Sequence, residues 1–473
     1  MVEGAERMAG SLRNRLFGLR ELVDELAFRA PARLAVTVFA CVVVLFAILL
    51  MVPFATADGE GARLVDALFT AVSAVCVTGL VVQDTATYWS LYGQIVILAG
   101  IKVGGFGIMT VASLLGMIVS RKIGLTQKLL TASETKTSRL GDVGSLIRVI
   151  IITATTLELS IALLIFPRLV VIEENVGTAA WHALFYGISA FNNAGFVPTT
   201  EGLMPHVGDW ALLLPIALGV FIGALGFPVI LNIQRALPRP GQRWHNWTKR
   251  LSLHSKLTLV TSGALLVVGA LLLLVLEWTN PATFGPLTLG QKLLAALFAG
   301  IMPRSGGFST VDVGAMTESS WLIQDALMFV GGGSASTAGG IKVTTLAVML
   351  LAIVAEARGD RDIEAFGRRI PRDVLRLSIA VVFTGASIVL VSCIALLEVT
   401  DLPLSQVLFE VLSAFATVGL STGITFDLPD AGKYVLALLM FVGRTGAVTV
   451  VAVLALRDRR RIVRFPEERP IIG

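Results

Sequence analysis

The chain has 473 residues, 55% of them hydrophobic and only 15% charged, with a mean hydropathy of +0.81. That composition excludes a soluble globular protein, which would present far more charge to water. The net charge of +5 does not argue for nucleic acid, because 30 of the 38 Lys and Arg residues fall in five separate segments of six each.

Residues 1–30 are basic and amphipathic and lack the apolar stretch and cleavage site of a signal peptide, so they read as a cytosolic or membrane-surface tail. Apolar runs long enough to cross a bilayer core of about 30 Å then recur. Examples are Leu34–Val52, Ile147–Val171, Ala211–Ile233, Leu257–Leu276 and Leu377–Leu397. The basic segments span Arg7 to Arg33, Arg121–Arg148, Arg235–Lys256, Arg358–Arg376 and Arg457–Arg469, while the intervening connections carry acids such as Glu173, Glu201, Asp312 and Asp401. Basic residues in alternate connections mark the cytoplasmic side and put both termini there. Cys41, Cys76 and Cys393 are far apart in apolar contexts, and neither they nor the four histidines suggest a disulfide framework or a metal motif.

One plan repeats four times. A full apolar span is followed by a polar turn, a shorter apolar stretch, a glycine-bearing loop and a second span. The short stretches are Leu64–Cys76, Ala179–Asn192, Leu289–Met302 and Leu404–Ala416, too short to cross and suited to re-entrant helices. Their loops align as Ser73-Ala-Val-Cys-Val-Thr-Gly79, Ser189-Ala-Phe-Asn-Asn-Ala-Gly195, Gly300-Ile-Met-Pro-Arg-Ser-Gly-Gly307 and Ser413-Ala-Phe-Ala-Thr-Val-Gly419, the third with one or two extra residues. The glycines are 116, 112 and 112 residues apart. The expected architecture is an all-α polytopic membrane protein with four fused, parallel repeats around one pseudo-fourfold pore, eight full transmembrane helices and four re-entrant pore helices. The expected boundaries are 1–30 tail, 31–122, 123–240, 241–358 and 359–457 repeats, and 458–473 tail.

The chemistry of such loops is cation coordination. A half-helix aims the partial negative charge of its C-terminus at the membrane middle. Carbonyls beyond it can replace a cation's hydration shell, and glycine allows the backbone to turn them toward one axis. A lone glycine there is ordinarily a turn or a packing contact; four at repeat spacing are not. The candidate ion-binding residues are Val77, Thr78, Gly79, Asn193, Ala194, Gly195, Ser305, Gly306, Gly307, Thr417, Val418 and Gly419. No carboxylate ring accompanies them, which disfavours a divalent cation.

A second motif interrupts the span after the third loop, in Phe329-Val-Gly331-Gly332-Gly333-Ser334-Ala-Ser336-Thr337-Ala-Gly339-Gly340-Ile-Lys342. Each Gly costs a helix roughly 1 kcal/mol relative to Ala, so the stretch should unwind within the membrane. It is not a Walker A loop, since Ile341 separates Gly340 from Lys342; close helix packing through small residues is the competing reading. Arg444 falls mid-span in the last repeat and needs a wet cavity or a partner. Lys102 falls at a comparable height in the first repeat, where it can lie near a permeation path, snorkel or pair with an acid. Glu158 is the one acid placed clearly inside a span.

These loops, with Val77-Thr-Gly-Leu80, Asn192-Asn-Ala-Gly-Phe196, Arg304-Ser-Gly-Gly-Phe308 and Ala416-Thr-Val-Gly-Leu420, resemble the Trk/Ktr/HKT superfamily of cation transporters over about residues 31–473. Eight spans without an extra N-terminal pair resemble the Ktr membrane (KtrB-type) subunit. The resemblance implies potassium uptake across the bacterial cytoplasmic membrane and no enzymatic activity. Gly79 in the first loop implies potassium rather than sodium as the transported ion, with Na+ as a possible activator. The resemblance further implies that Gly331–Lys342 forms a gate below the filter and that Arg444 lies beside it as a barrier to cations. It implies a cytosolic ring of nucleotide-binding regulatory subunits (KtrA/TrkA-type), which the basic links could dock unless they serve only topology and anionic lipid. It also implies a homodimer involving the tail Pro466–Gly473. Arg304 is expected at the filter's outer edge. The alternatives are a sodium or unselective cation transporter of the same fold and, in another class, a secondary transporter for a small organic solute, which would need acids inside spans.

Overall fold

The computed structural model describes residues 31–123, 143–237 and 248–456. The N-terminal tail, much of the basic links 124–142 and 238–247, and the tail from residue 457 with its expected dimer contact lie outside the described residues.

Among the described residues the fold is fourteen α-helices and one small hairpin. The first unit holds α1 (Pro31–Leu50), α2 (Leu64–Val75) and α3 (Leu91–Ile123). The second holds α4 (Val143–Ile172), α5 (Val176–Asn192), α6 (Trp210–Leu225) and α7 (Phe227–Ala236). The third holds α8 (Leu253–Glu277), α9 (Leu289–Ile301), α10 (Glu318–Phe329) and α11 (Val343–Arg358). A hairpin of β1 (Ile363–Ala365) and β2 (Arg368–Ile370) leads to α12 (Arg372–Leu397), α13 (Leu404–Phe415) and α14 (Asp430–Leu456).

Sequence chemistry sets many of these ends. Asn175, Asp209, Ser252 and Thr317 accept from free N–H groups at the starts of α5, α6, α8 and α10, and Thr288 with Gln291 forms a capping box on α9. Gly359, with φ of +74°, ends α11. Among the described residues three helices, Arg148–Ile172 within α4, α8 and α12, are long and apolar enough to cross a membrane, or up to four if the bent pair α6–α7 is one span. Their outward faces are apolar: Val275 of α8 is 72% exposed and Phe383 of α12 is 75% exposed. Water would not support such faces; hydrocarbon does.

The short helices α2, α5, α9 and α13 are instead the most enclosed, and each carries a fully buried phenylalanine at one position, Phe69, Phe185, Phe298 and Phe409. Each packs against the long helix of the preceding unit: α5 on α3, α9 on α6, α13 on α10, and α2 on α14. That cyclic order closes the four units into a ring. The one continuous span expected over Ala211–Ile233 is not straight. It breaks at Gly226 between α6 and α7 with a 98° bend, because Gly226 takes φ of +92° and Pro228 follows at the start of α7.

Candidate functional site

Beyond each half-helix the backbone alternates in the same way. Val77 and Gly79, Asn193 and Gly195, Ser305 and Gly307, and Thr417 and Gly419 all have positive φ, between 48° and 95°, with one residue of ordinary φ between them. A non-glycine residue at positive φ is uncommon and costs about 1–2 kcal/mol. Four such pairs at equivalent places are therefore a specified feature. The alternation allows successive carbonyls to face one side. The third loop has Ser305 and Gly307 in the paired conformations, so Gly307 rather than Gly306 is the equivalent glycine.

The third loop is not longer than the others, contrary to expectation. Counted from the shared buried phenylalanine, it reaches its glycine in nine residues against ten elsewhere. The cause is local: α9 ends at Ile301, just before Met302-Pro303, where proline opposes continuation of the helix. The turn that follows, closed by Gly306 N–H to Met302 O (2.7 Å), is a residue tighter than those closed by Thr78 on Ser73, Ala194 on Ser189 and Val418 on Ser413.

The four glycines face one another in sequence. A Cβ on Gly79 would meet Ala194 O, one on Gly195 would lie 2.8 Å from Gly307 Cα, one on Gly307 2.5 Å from Val418 O, and one on Gly419 would meet Thr78 O. Backbone touches backbone around the whole ring, leaving no room for side chains at these four positions. Serine hydroxyls brace the walls. Ser73 Oγ accepts from Gly79 N–H (3.0 Å), Ser413 Oγ accepts from Gly419 N–H (3.1 Å), and Ser189 Oγ donates to Phe196 O (2.8 Å). Ser305 donates instead across to Thr417 O at 2.7 Å. Thr78 Oγ1 and Thr417 Oγ1 are buried without a hydrogen-bond partner among the described residues. A buried acid stands behind the fourth wall: Glu410 accepts from Ser421 Oγ (2.5 Å), Thr422 N–H (3.0 Å) and Thr425 Oγ1 (2.8 Å), which ties the loop's far end to α13.

The glycine-rich stretch runs non-helically from Val330 to Lys342 between α10 and α11. It lies against the side of the ring at which the half-helices end. Gly339 N–H donates to Ser305 Oγ (3.3 Å), and Thr337 Oγ1 donates to Asn193 Oδ1 (2.8 Å). Ser336 Oγ folds back onto Gly333 O at 2.7 Å, and Ser334 Oγ pairs with Thr344 Oγ1 at 3.3 Å. Gly331 and Gly340 lie side by side where Val330 and Ile341 form a parallel bridge, and a Cβ on Gly332 would stand 2.6 Å from Ala224 O. Lys342 Nζ donates to Ala338 O (2.7 Å), and Arg444 Nη1 donates to Thr337 O. Nε and Nη2 of Arg444 are buried without partners among the described residues. The stretch also satisfies the ends of the broken helix pair: Gly333 N–H donates to Ala224 O (2.7 Å), and Phe227 N–H donates to Ala335 O (3.2 Å).

Three charged residues lie elsewhere than expected or have partners that sequence left open. Arg304 is 2% exposed and not at the outer edge. It follows directly on α9, at the ring's half-helix side, and turns into the wall, with Nη1 on Ser262 O (2.9 Å) and its guanidinium 5.4 Å from the centre of the Phe221 ring. Lys102 pairs with Glu158, which in turn holds Asn192 Nδ2 at 2.7 Å. Asp325 of α10 is a further buried acid, at 5% exposure. A third linkage joins distant parts of the chain: Lys433 of α14 lies 3.1 Å from Asp66 of α2, both buried. No group of three metal-ligating side chains occurs among the described residues.

Comparison with known proteins agrees with this architecture. Residues 22–460 match the model of the TrkH family, described as a cation transport protein. The chain is 37% identical to Ktr system potassium uptake protein B of Bacillus subtilis (strain 168), over 96% of this chain and 99% of that one. It is 35% identical to the protein of the same name from Vibrio alginolyticus, covering 90% and 91%. It is 31% identical to potassium/sodium uptake protein NtpJ of Enterococcus hirae, covering 94% and 97%. The fold matches the crystal structure of the potassium transporter TrkH from Vibrio parahaemolyticus with a TM-score of 0.67 at 17% identity, over 89% of this chain and 84% of that one. The chain therefore belongs to the TrkH family of cation transport proteins, a family of membrane transporters rather than enzymes.

Proposed function

We propose that this chain takes up potassium across the bacterial cytoplasmic membrane, with the four-loop ring as its selectivity filter and residues 331–342 with Arg444 as its gate. The observation that carries the reading is the fourfold pairing of positive-φ residues at Val77/Gly79, Asn193/Gly195, Ser305/Gly307 and Thr417/Gly419 in a ring of touching glycines. Dehydrating a monovalent cation without a fixed anion calls for many preorganised carbonyls, and four half-helix C-termini add favourable potential. The unpartnered hydroxyls of Thr78 and Thr417 fit a cation at the ring's near end.

In this reading eight helices, counting α6–α7 and α10–α11 as single broken spans, cross the membrane, and α2, α5, α9 and α13 re-enter as pore helices. The repeats run over 31–122, 123–240, 241–358 and 359–457, with both termini cytosolic. The gate segment stands across the near side of the filter, and Arg444 holds it there by Thr337 O while adding a positive barrier. The names of the relatives support potassium as substrate and membership of a Ktr system. The reading adds, from the family resemblance alone, a homodimer that works with a cytosolic ring of nucleotide-binding subunits and is stimulated by sodium. The name of the Enterococcus relative gives the second reading, a transporter that also carries sodium.

Growth rescue of a bacterium lacking potassium uptake, at low external potassium, tests the proposal, with rubidium and sodium uptake as readouts. The parent should rescue and should prefer rubidium over sodium. Gly195→Ser and Gly419→Ser should each lower potassium affinity by about tenfold or more, as expected when 1–3 kcal/mol of strain enters the filter. Sodium uptake indifferent to potassium, or unchanged affinity in both variants, would sink it.

A further inference from the structure

The ion pair Lys102–Glu158 has no part in the filter or the gate as described, yet in the reading above both charges sit inside helices that cross the apolar layer. Lys102 projects from α3 of the first unit, and its Nζ contacts Glu158 Oε2 and donates to Thr155 Oγ1 at 3.3 Å, both on α4 of the second unit. Its ammonium also lies 5.0 Å from the centre of the Phe106 ring. Glu158 is 1% exposed, and an acid enclosed in that way is tolerated only with a partner. Its other oxygen is committed too: Glu158 Oε1 accepts from Asn192 Nδ2 at 2.7 Å.

Asn192 is the last residue of half-helix α5, and it precedes Asn193, the positive-φ residue that opens the second loop. Its amide also donates to Ile188 O at 2.9 Å, while Gly105 on α3 leaves it room, since a Cβ there would run into Asn192 Oδ1. Asn193 in turn is held from both sides, donating from Nδ2 to Val220 O (3.2 Å) and accepting at Oδ1 from Thr337 of the gate stretch. Among the described residues the second wall has only Ser189 on Phe196 O as a serine brace, and its glycine N–H does not donate to a serine Oγ as those of the first and fourth walls do. A continuous polar chain therefore runs from Lys102 through Glu158 and Asn192–Asn193 to Thr337.

We propose that the Lys102–Glu158 pair is a positioning device for the second filter wall: Lys102 neutralises Glu158 so that its carboxylate can hold Asn192 and, through it, the Asn193–Gly195 backbone. The inference rests on the filter reading above. Lys102 acts through Glu158, so its removal does not delete a contact to the ring; it leaves a buried carboxylate free to recruit water or a cation beside it.

The test compares Lys102→Met, Lys102→Arg, Glu158→Gln and the double variant Lys102→Met/Glu158→Gln in the full-length protein, by rubidium and sodium uptake in potassium-uptake-deficient cells. Variant levels in the membrane are matched. Lys102→Met should raise the KM for rubidium and lower the rubidium-to-sodium preference by about tenfold, as expected for a stranded buried charge. Lys102→Arg keeps the charge and should stay close to the parent. The double variant removes both charges and keeps an amide oxygen for Asn192, so it should recover most of the preference. Where Lys102→Met does not accumulate, recovery of accumulation in the double variant and the preference of Glu158→Gln against the parent carry the comparison. Equal KM and preference in parent, Lys102→Met and Glu158→Gln would overturn the proposal, as would a double variant no better than Lys102→Met. Gly195→Ser serves as the control that separates the two readings. If it abolishes preference while the Lys102 and Glu158 variants leave it intact, only this inference fails; if the parent shows no preference, the filter reading fails with it.

Discussion

A single methylene at Gly195 would stand 2.8 Å from the Cα of Gly307, closer than real side-chain carbons approach a neighbouring backbone. At φ of +71° an L-residue would also be strained there, so two costs coincide at one position. That is why Gly195→Ser and Gly419→Ser are expected to act on affinity rather than only on abundance: the walls must part, and the ring they form must widen. The arginine on the half-helix side makes a complementary prediction. Arg444 donates to Thr337 O from within a fully packed site, and two of its other nitrogens have no partner among the described residues. A charge-assisted hydrogen bond is worth about 1.5–3 kcal/mol, so Arg444→Gln should shift the gate toward open by roughly tenfold. The check is rubidium flux at matched protein level: it should rise severalfold without loss of preference over sodium. An unchanged or lower flux would mean that Arg444 serves packing and not closure. Sequence alone placed Arg444 at mid-span but could not supply its partner, 107 residues away. It misplaced Arg304 for a related reason. The order of residues along a loop says which end of the ring a side chain starts from, yet the direction it turns depends on Ser262 and Phe221 of other helices.

Between the elements, the glycine-rich stretch and the bend at Gly226 form one unit. Backbone groups freed by the break between α6 and α7 are taken up by Gly333 and Ala335, and Gly226 itself sits at φ of +92° with room for no Cβ, which would lie 2.5 Å from Ser334 O. A helix broken within an apolar layer must pair its freed groups with protein or water. Gly226→Ala should therefore cost about 1–3 kcal/mol from backbone strain and from the lost fit against residues 333–335. The expected result is a lower apparent melting temperature in detergent together with altered uptake, since the proposed gate stretch shares the contact. Ala224→Gly, two residues earlier and without a positive-φ demand, should alter uptake far less. The half-helices and the interruption after Phe329 were legible in sequence because hydropathy, length and glycine content change there together. The bend was not, because Ala211–Ile233 is apolar throughout and its signal is confined to Gly226-Phe-Pro228. The third loop was misjudged by alignment on its glycines. Alignment on Phe69, Phe185, Phe298 and Phe409 gives the right count, since a buried side chain that fills the same space in each unit fixes register better than a loop does.

Four units on one chain leave a seam that a symmetric assembly would not have. Neighbouring units are joined covalently, whereas the first and last meet without a covalent link, where α14 packs on α1, α2 and α3 and where Gly419 abuts Thr78 O in the ring. Two ion pairs stand at that seam, and their surroundings assign them different weights. Arg63 and Asp430 lie 2.6 Å apart with side chains 63% and 53% exposed, so their pair is screened by solvent and contributes little. Lys433 and Asp66 lie 3.1 Å apart with side chains 7% and 1% exposed, and Gln83 Nε2 reaches the other Asp66 oxygen at 3.4 Å. Removing one partner of such a pair strands the other, at about 3–5 kcal/mol, whereas replacing both can be nearly neutral. Asp66→Asn should accordingly lower the apparent melting temperature well below the parent, Arg63→Ala should leave it nearly unchanged, and Asp66→Asn/Lys433→Met should recover most of the loss. A double-mutant cycle on melting in detergent, run beside rubidium uptake, measures the coupling directly. Because α2 leads straight into Val77 and Gly79, loss of stability and loss of ion preference should move together across the series. If neither the single nor the double variants lose stability, apolar packing of α14 on α2 closes the ring by itself, and the buried charges only fix the register at which it closes.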